Sequence, residues 1–285
     1  MRRLSYLSIS IKILLLLLFI LLLILLFRGG SLSVSAAAAT TPYDADRNRS
    51  VRKVLLQPEA LPRPANKERV VCIQMPVLNV KPHAGRVPLV EGIDVSHYQG
   101  RIDWGRVATE GGAKYAYVKA TEGGDMADEY YSYNIREAKA AGLLVGAYHF
   151  YRPQRGVDAN FKNMVSVIKR RDIDLLPIID VETVGGVSRE QFIADLQQFV
   201  KRVERHYGCP PMLYTGQNFY NKHFQGVLTD YCWMIAKYQE EPPILLDGHI
   251  PCMWQYTQHG SVSGIRGNVD RSRLLNGSLH HLKIK

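Results

Sequence analysis

Cysteine is scarce in this chain. Cys72, Cys209, Cys232 and Cys252 are spread over 285 positions. Four are too few for a small scaffold held by a disulfide framework. None stands at C-x-x-C spacing, so no zinc site is expected. No Cys closely follows the N-terminal apolar run, which argues against a lipid-modified N-terminus. Internal repeats are absent, and 46% hydrophobic residues exclude a mostly disordered chain. No cofactor-binding motif stands out, and none is expected.

The globular part also lacks an excess of charge of either sign. The formal net charge is +10. Residues 1–88 carry 13 Lys and Arg against 4 Asp and Glu, whereas residues 89–285 carry 23 against 22. A nucleic-acid-binding domain would be expected to carry its own basic face, so no nucleic-acid partner is expected. A monomer is expected.

Long apolar runs are confined to one place, Ile13 to Phe27, preceded by Arg2, Arg3 and Lys12. Fifteen residues lie at the boundary between a secretory h-region and a spanning helix. Residues 1–28 therefore read as a signal peptide or a signal anchor, with small residues suited to cleavage at Ala36 to Ala39. The basic residues before the run leave the N-terminus inside and export the rest. The expected location is periplasmic or extracytoplasmic, membrane-anchored or secreted. Residues 29–87, with Pro58, Pro62, Pro64, Pro76 and Pro82, read as a basic linker. In an exported protein one or two disulfides are expected, and spacing does not select the pairing.

From Val90 onward, short apolar runs alternate with amphipathic segments. Strands are expected at Gly92–Val95, Tyr115–Lys119, Leu143–His149, Leu176–Val181, Met212–Tyr214, Cys232–Lys237 and Cys252–Tyr256. Ser188 to Tyr207 reads as a helix. Ser188 and Gln191 form a capping box, Phe192, Leu196, Phe199 and Val203 share one face, and Gly208 ends it. Asp128 to Ala141 reads as another helix, stopped at Gly142. Such alternation implies parallel strands with helices packed outside. Helices become scarce after Tyr220, which favours a closed or nearly closed α/β barrel over residues 88–276, with 277–285 left as a tail.

Chemistry in such a barrel gathers at the C-terminal ends of the strands. Asp180 and Glu182 end an apolar strand, two residues apart. They point to one side, about 6.6 Å apart at the backbone. Two neighbouring acids raise the proton affinity of one of them. One protonated acid beside one carboxylate is what glycosidic cleavage requires. Asp94 and Asp270 stand in similar positions on separate strands. Tyr98, Tyr148, Tyr151, Tyr214, Trp254 and Tyr256 crowd the same ends, where aromatic planes can pack against sugar rings. Alternation sends Gln255 to the face opposite Trp254 and Tyr256. His149 has no ligand-spaced partner and reads as a satisfied barrel histidine.

Six segments in order carry a family resemblance: GIDVSHYQGRIDW (92–104), YAYVKATEG (115–123), AGLLVGAYHFYRP (141–153), PIIDVET (177–183), PMLYTGQNFY (211–220) and MWQYTQHGSVSGIRGNVDRS (253–272). Together they resemble glycosyl hydrolase family 25, the Chalaropsis-type lysozymes. The resemblance implies a modified TIM-like β/α barrel that cleaves the β-1,4 bond between N-acetylmuramic acid and N-acetylglucosamine in peptidoglycan glycan strands. It makes Glu182 the general acid, Asp180 the second active-site carboxylate, and Asp94 and Asp270 outer acids of the groove. Tyr148, Tyr214, Trp254, Gln255, Tyr98 and Lys119 are the candidate substrate-binding residues. The sequence departs from the family pattern at VDRSR, where a hydrophobic residue and Asn usually follow the Asp. A chitinase-like barrel is disfavoured, because Leu176 and Ile178 stand where that class has further acids.

Overall fold

The computed structural model describes residues 90–285. The apolar run at 13–27, the linker and Cys72 lie outside them. Among the described residues no helix is long and apolar enough to cross a membrane.

Nine strands form one sheet: β1 (Glu91–Val95), β2 (Tyr115–Glu122), β3 (Met126–Ala127), β4 (Leu144–Phe150), β5 (Ile178–Asp180), β6 (Met212–Gly216), β7 (Trp233–Ala236), β8 (Met253–Gly260) and β9 (Val269–Leu274). Their order is β1-β9-β8-β7-β6-β5-β4-β2-β3, and β1 also pairs with β2. The second pairing closes eight strands into a barrel and leaves β3 as a short antiparallel appendage on β2. Six of the eight junctions are parallel, and only β9 runs against both of its neighbours.

Five helices connect these strands: α1 (Trp104–Thr109), α2 (Tyr131–Ala140), α3 (Gly156–Val167), α4 (Arg189–Tyr207) and α5 (Gln217–His223). In α4 the Ser188 side chain accepts from the Gln191 N–H, and Gly208 closes the helix at φ +70°. Only half of the expected capping box forms, because the Gln191 amide turns forward to Asp195 at 2.7 Å. Helix α2 starts three residues later than expected. Asp128 is held outside it, accepting from the backbone N–H of Tyr130 and of His97.

Two apolar clusters follow from strand alternation. Outward residues such as Ile93, Val118, Ile179, Leu213 and Ile235 pack beneath Phe192, Leu196, Phe199 and Val203 of α4 and the other helices. Inward residues, among them Tyr115, Tyr117, Ile178, Met212, Met234 and Met253, fill the barrel. Gly92 and Gly146 face inward opposite Tyr115 and Tyr117, and a methyl at either would overlap the ring. The absence of two side chains is what lets two tyrosines occupy the barrel.

Residues 277–285 are not a free tail. Leu282, 2% exposed, joins the inner cluster, its carbonyl accepts from Leu176 N–H, and Lys283 bridges to Leu175. The segment seals the end of the barrel where the parallel strands begin. Cys232 and Cys252 form a disulfide beside adjacent strands β7 and β8, and Cys209 has no disulfide partner among the described residues. His149 lies wholly buried outside the barrel, with Thr121 Oγ1 on Nδ1 (2.8 Å) and Asn160 Oδ1 on Nε2 (3.0 Å).

Candidate active site

Below its upper rim the barrel interior is largely apolar. At the rim the inward positions become polar together: Asp94 of β1, Lys119 of β2, Tyr148 of β4, Asp180 of β5, Tyr214 of β6, Gln255 of β8 and Asp270 with Ser272 of β9. Register ties them strand to strand, pairing Asp94 with Asp270, Asp180 with Tyr214, Lys119 with Tyr148 and Gln255 with Ser272. Asp270 lies near the start of its strand rather than its end. Because β9 is antiparallel, its start meets the C-terminal ends of the others, and the acid reaches the same rim.

Gln255, 2% exposed, links the two halves of this ring. Its amide Nε2 donates to Asp94 Oδ2 and Asp270 Oδ2, both at 3.3 Å. Its Oε1 accepts from the hydroxyls of Tyr214 (2.7 Å) and Tyr238 (2.8 Å). Ser272 Oγ donates to Asp94 Oδ2 at 3.4 Å and also bonds the Tyr115 hydroxyl. In the departing VDRSR motif, Ser272 thus faces inward onto Asp94. Arg271 faces outward and pairs with Glu91 at 2.6 Å.

Burial and the nearby Asp270 push the Asp94 carboxyl up to about 8. Burial and Glu182 push Asp270 up to about 6. Asp180, 7% exposed, is raised well above the carboxylate range by burial and by the adjacent Glu182. Glu182 is more open to the groove, yet partial desolvation raises it too, against the hydrogen bond from Asp180 and the charges of Arg152 and Lys119. Asp180 and Glu182 lie close enough for each to shift the other's proton affinity. Such a pair titrates as a unit, holding one proton between two carboxyls. Backbone bonds fix the strand end that carries it, from Tyr151 N–H to Asp180 O (2.8 Å) and from Val181 N–H to Tyr214 O (2.9 Å).

Two cations stand beside this pair. Lys119 Nζ binds Glu122 at 2.7 Å, and Arg152 binds the other Glu122 oxygen through Nε (2.9 Å) and Nη2 (2.6 Å). Burial alone would raise Glu122, but these bonds hold it below the usual range. Lys119 is thereby committed to a carboxylate and lends the site its charge rather than a free ammonium.

The remaining candidates separate. A cavity of about 460 Å³ opens beside Glu182, lined by Tyr214, Asn218, Lys237 and Tyr238. Tyr148 lies beside Asp180, Asp94 and Asp270. Tyr98, 81% exposed, stands at the rim against His97. Trp254 does not join them. It is buried on the outer face of β8, with its indole N–H on Lys237 O (2.7 Å) and the Arg273 guanidinium over its ring. Trp254 and Gln255 are consecutive in a strand and cannot both face inward. Tyr151 is also outside, stacked on Phe199, and Tyr256 bonds Glu91. Sequence reasoning misses Tyr238, Glu122, Arg152 and Ser272. Tyr238 lies past the end of β7 in a segment without periodicity, and Glu122 and Arg152 meet across 30 residues.

Known proteins match the same region. Residues 93–265 match the model for glycosyl hydrolases family 25. The uncharacterized protein YegX of Escherichia coli K12 is 35% identical over 211 residues, covering 72% of this chain and 77% of YegX. Lysozyme M1 of Streptomyces globisporus is 32% identical, covering 68% of this chain and 70% of the lysozyme. The crystal structure of the bacterial lysozyme from Streptomyces coelicolor superposes with a TM-score of 0.62 at 31% identity, over 68% of this chain and 94% of that one. With its sequence, its closed barrel and its acid-lined rim all in agreement, the chain belongs to glycosyl hydrolases family 25.

Proposed function

We propose that the protein is a muramidase that hydrolyses the β-1,4 bond between N-acetylmuramic acid and N-acetylglucosamine in peptidoglycan. The observation that carries this reading is the buried Asp180 beside Glu182 at the end of one strand, sharing a rim with Asp94 and Asp270. Glu182 is the general acid. Before substrate binds, burial favours the proton on Asp180, with Glu182 accepting. A sugar seated over Glu182 removes its water and draws the proton across to the group nearest the leaving oxygen.

Asp180 does not attack the anomeric carbon in this scheme. A retaining nucleophile and its acid flank the bond from opposite sides, whereas Asp180 and Glu182 leave one strand end two residues apart, on the same side. Asp180 Oδ1 is buried and accepts no hydrogen bond within the protein. It suits the N–H of the substrate's acetamido group, whose oxygen then attacks the anomeric carbon. Configuration is retained, and Glu182 in its basic form activates the incoming water.

Ile13 to Phe27 supports export, with the barrel held outside the cytoplasmic membrane as an anchored or a cleaved protein. The test is mass spectrometry of products released from purified sacculi. Reducing-end muramic acid is expected, and Glu182→Gln abolishes its release while leaving the thermal unfolding midpoint in place. Reducing-end glucosamine, peptide cleavage, or near wild-type turnover by Glu182→Gln would overturn the assignment.

A further inference from the structure

A second cavity lies away from the Asp180–Glu182 pair. A space of about 1010 Å³ opens on the flank of the barrel, between the segment from Gln99 to Arg106, helix α2 and the turn at Gly264–Arg266. It is a built site. Ile102 and Trp104 in its lining are almost wholly buried, and the Trp104 indole N–H is fixed on Asn134 at 3.1 Å. Its two loops are tied by Asp103 N–H on Gly264 O at 2.9 Å, and Gly264 at φ +95° leaves no room for a side chain against Asp103.

The charges around this cavity do not cancel. Arg106 is spent on Glu110, and Glu137 on Arg136. Asp103 caps α1 through the Arg106 N–H. Arg101 and Arg266 are exposed and have no carboxylate partner among the described residues. The Arg101 guanidinium is parked over the Tyr133 ring, 4.8 Å from its centre. A held guanidinium presents its donor fork in a fixed plane, the geometry that takes a carboxylate with two hydrogen bonds.

Position supplies the occupant. Gln99 follows Asp94 by five residues, and Arg266 precedes Asp270 by four. Short stretches of chain thus tie the cavity lining to two of the four rim acids, and the Gln99 amide donates to the Asn268 carbonyl at 3.2 Å between them. A neutral glycan gives two arginines nothing to bind. The peptide attached to the lactyl group of each muramic acid carries free carboxylates and leaves the glycan sideways. We infer that the flank cavity binds this acidic stem peptide, with Arg101 and Arg266 as its anchors. The inference rests on the muramidase reading and adds a preference for glycan that still carries its peptides.

The test uses the full-length protein and its Arg101→Ala/Arg266→Ala variant. Substrates are peptide-bearing glycan strands and, as stripped strands, the same glycan freed of peptide by an amidase, with the lactyl carboxylate that the cut exposes blocked as its methyl amide. Both arginines are exposed, so the fold is expected to survive. On peptide-bearing strands kcat/KM falls roughly 3- to 10-fold, through KM, as for two partly solvated ion pairs. On stripped strands it is unchanged. Raising the salt removes the wild-type preference, and Arg101→Lys/Arg266→Lys recovers only part of it. An equal loss on both substrates, or no loss on the peptide-bearing one, overturns the inference. If the wild-type protein releases no muramic-acid ends from either substrate, the muramidase reading fails first and takes this inference with it.

Discussion

Asp94→Asn offers a direct test of the electrostatics of the rim. Asp94 sits between Gln255 and Ser272, which both donate to its Oδ2, and an Asn carbonyl can accept the same bonds. Its carboxyl is raised from 3.8 to about 8 by burial and by Asp270. The folded state therefore holds a proton that the unfolded chain has released through most of that interval. Stability from this group is fully present below the unfolded value and is lost as pH rises through the folded one. The slope is about 1.4 kcal/mol per pH unit, and the ceiling over the full interval is about 5–6 kcal/mol. Asp94 is only partly shielded from the groove, so about 2–3 kcal/mol is the realistic difference. Urea unfolding followed by tryptophan fluorescence at pH 5, 7 and 9 measures it. Asp94→Asn should gain stability over wild type progressively from pH 5 to pH 8 and hold the gain above that. Parallel pH curves for the two proteins would refute the raised affinity of Asp94, since the other rim acids titrate in both.

Gln255→Ala removes the shared partner of two acids and two tyrosines, and kcat/KM should fall roughly 10- to 100-fold with a stability loss of about 1–3 kcal/mol. Turnover on sacculi and urea midpoints measure the two effects separately. Replacing Cys232 and Cys252 with Ser opens a bridge between residues 20 apart and should lower unfolding stability by about 3 kcal/mol, read as a lower urea midpoint with a slope equal to or steeper than wild type, since the unfolded chain loses a constraint. Asp180→Asn removes the neighbouring carboxyl that shares the proton while keeping the side chain's size. The alkaline limb of the pH–rate profile should move to lower pH along with a loss of kcat, and an unmoved limb would detach Asp180 from the proton on Glu182.

Much of this site is legible in the sequence because alternation along a strand is a local property. Asp180 and Glu182 at i and i+2 are bound to share a side, and Gln255 is bound to oppose Trp254. The same parity excludes Trp254 from the groove once Gln255 is placed inside, a conflict already contained in the order of the residues. What stays hidden depends on closure. The antiparallel course of β9 decides that Asp270 belongs at the rim. It cannot be read from VDRSR alone, since a strand start and a strand end look alike. Lys119 reads as a sugar-binding cation, but its commitment to Glu122 arises only when Arg152 arrives from the end of β4. Tyr238 gives no periodic signal, and it reaches Gln255 because the chain turns inward past β7. Residues 277–285 carry only Leu279, Leu282 and Ile284 as apolar positions, too few to announce a packed segment.

Stability and chemistry share one set of inward positions and divide it by height. The lower layers hold Tyr115, Tyr117, Ile178, Met212, Met234 and Met253, and Leu282 seals them from below. The upper layer holds four acids, a glutamine and two tyrosines whose desolvation opposes folding. That opposition is useful, because the low-polarity floor that makes the carboxyls costly to ionise also keeps Asp94 and the Asp180–Glu182 pair holding a proton near neutral pH. Replacing the floor with polar residues would let water reach Asp180 from beneath and lower its proton affinity, leaving only the part that Glu182 and Asp94 impose. Gly92 and Gly146 therefore act on the chemistry at a distance: they give Tyr115 and Tyr117 the space to keep that floor dry.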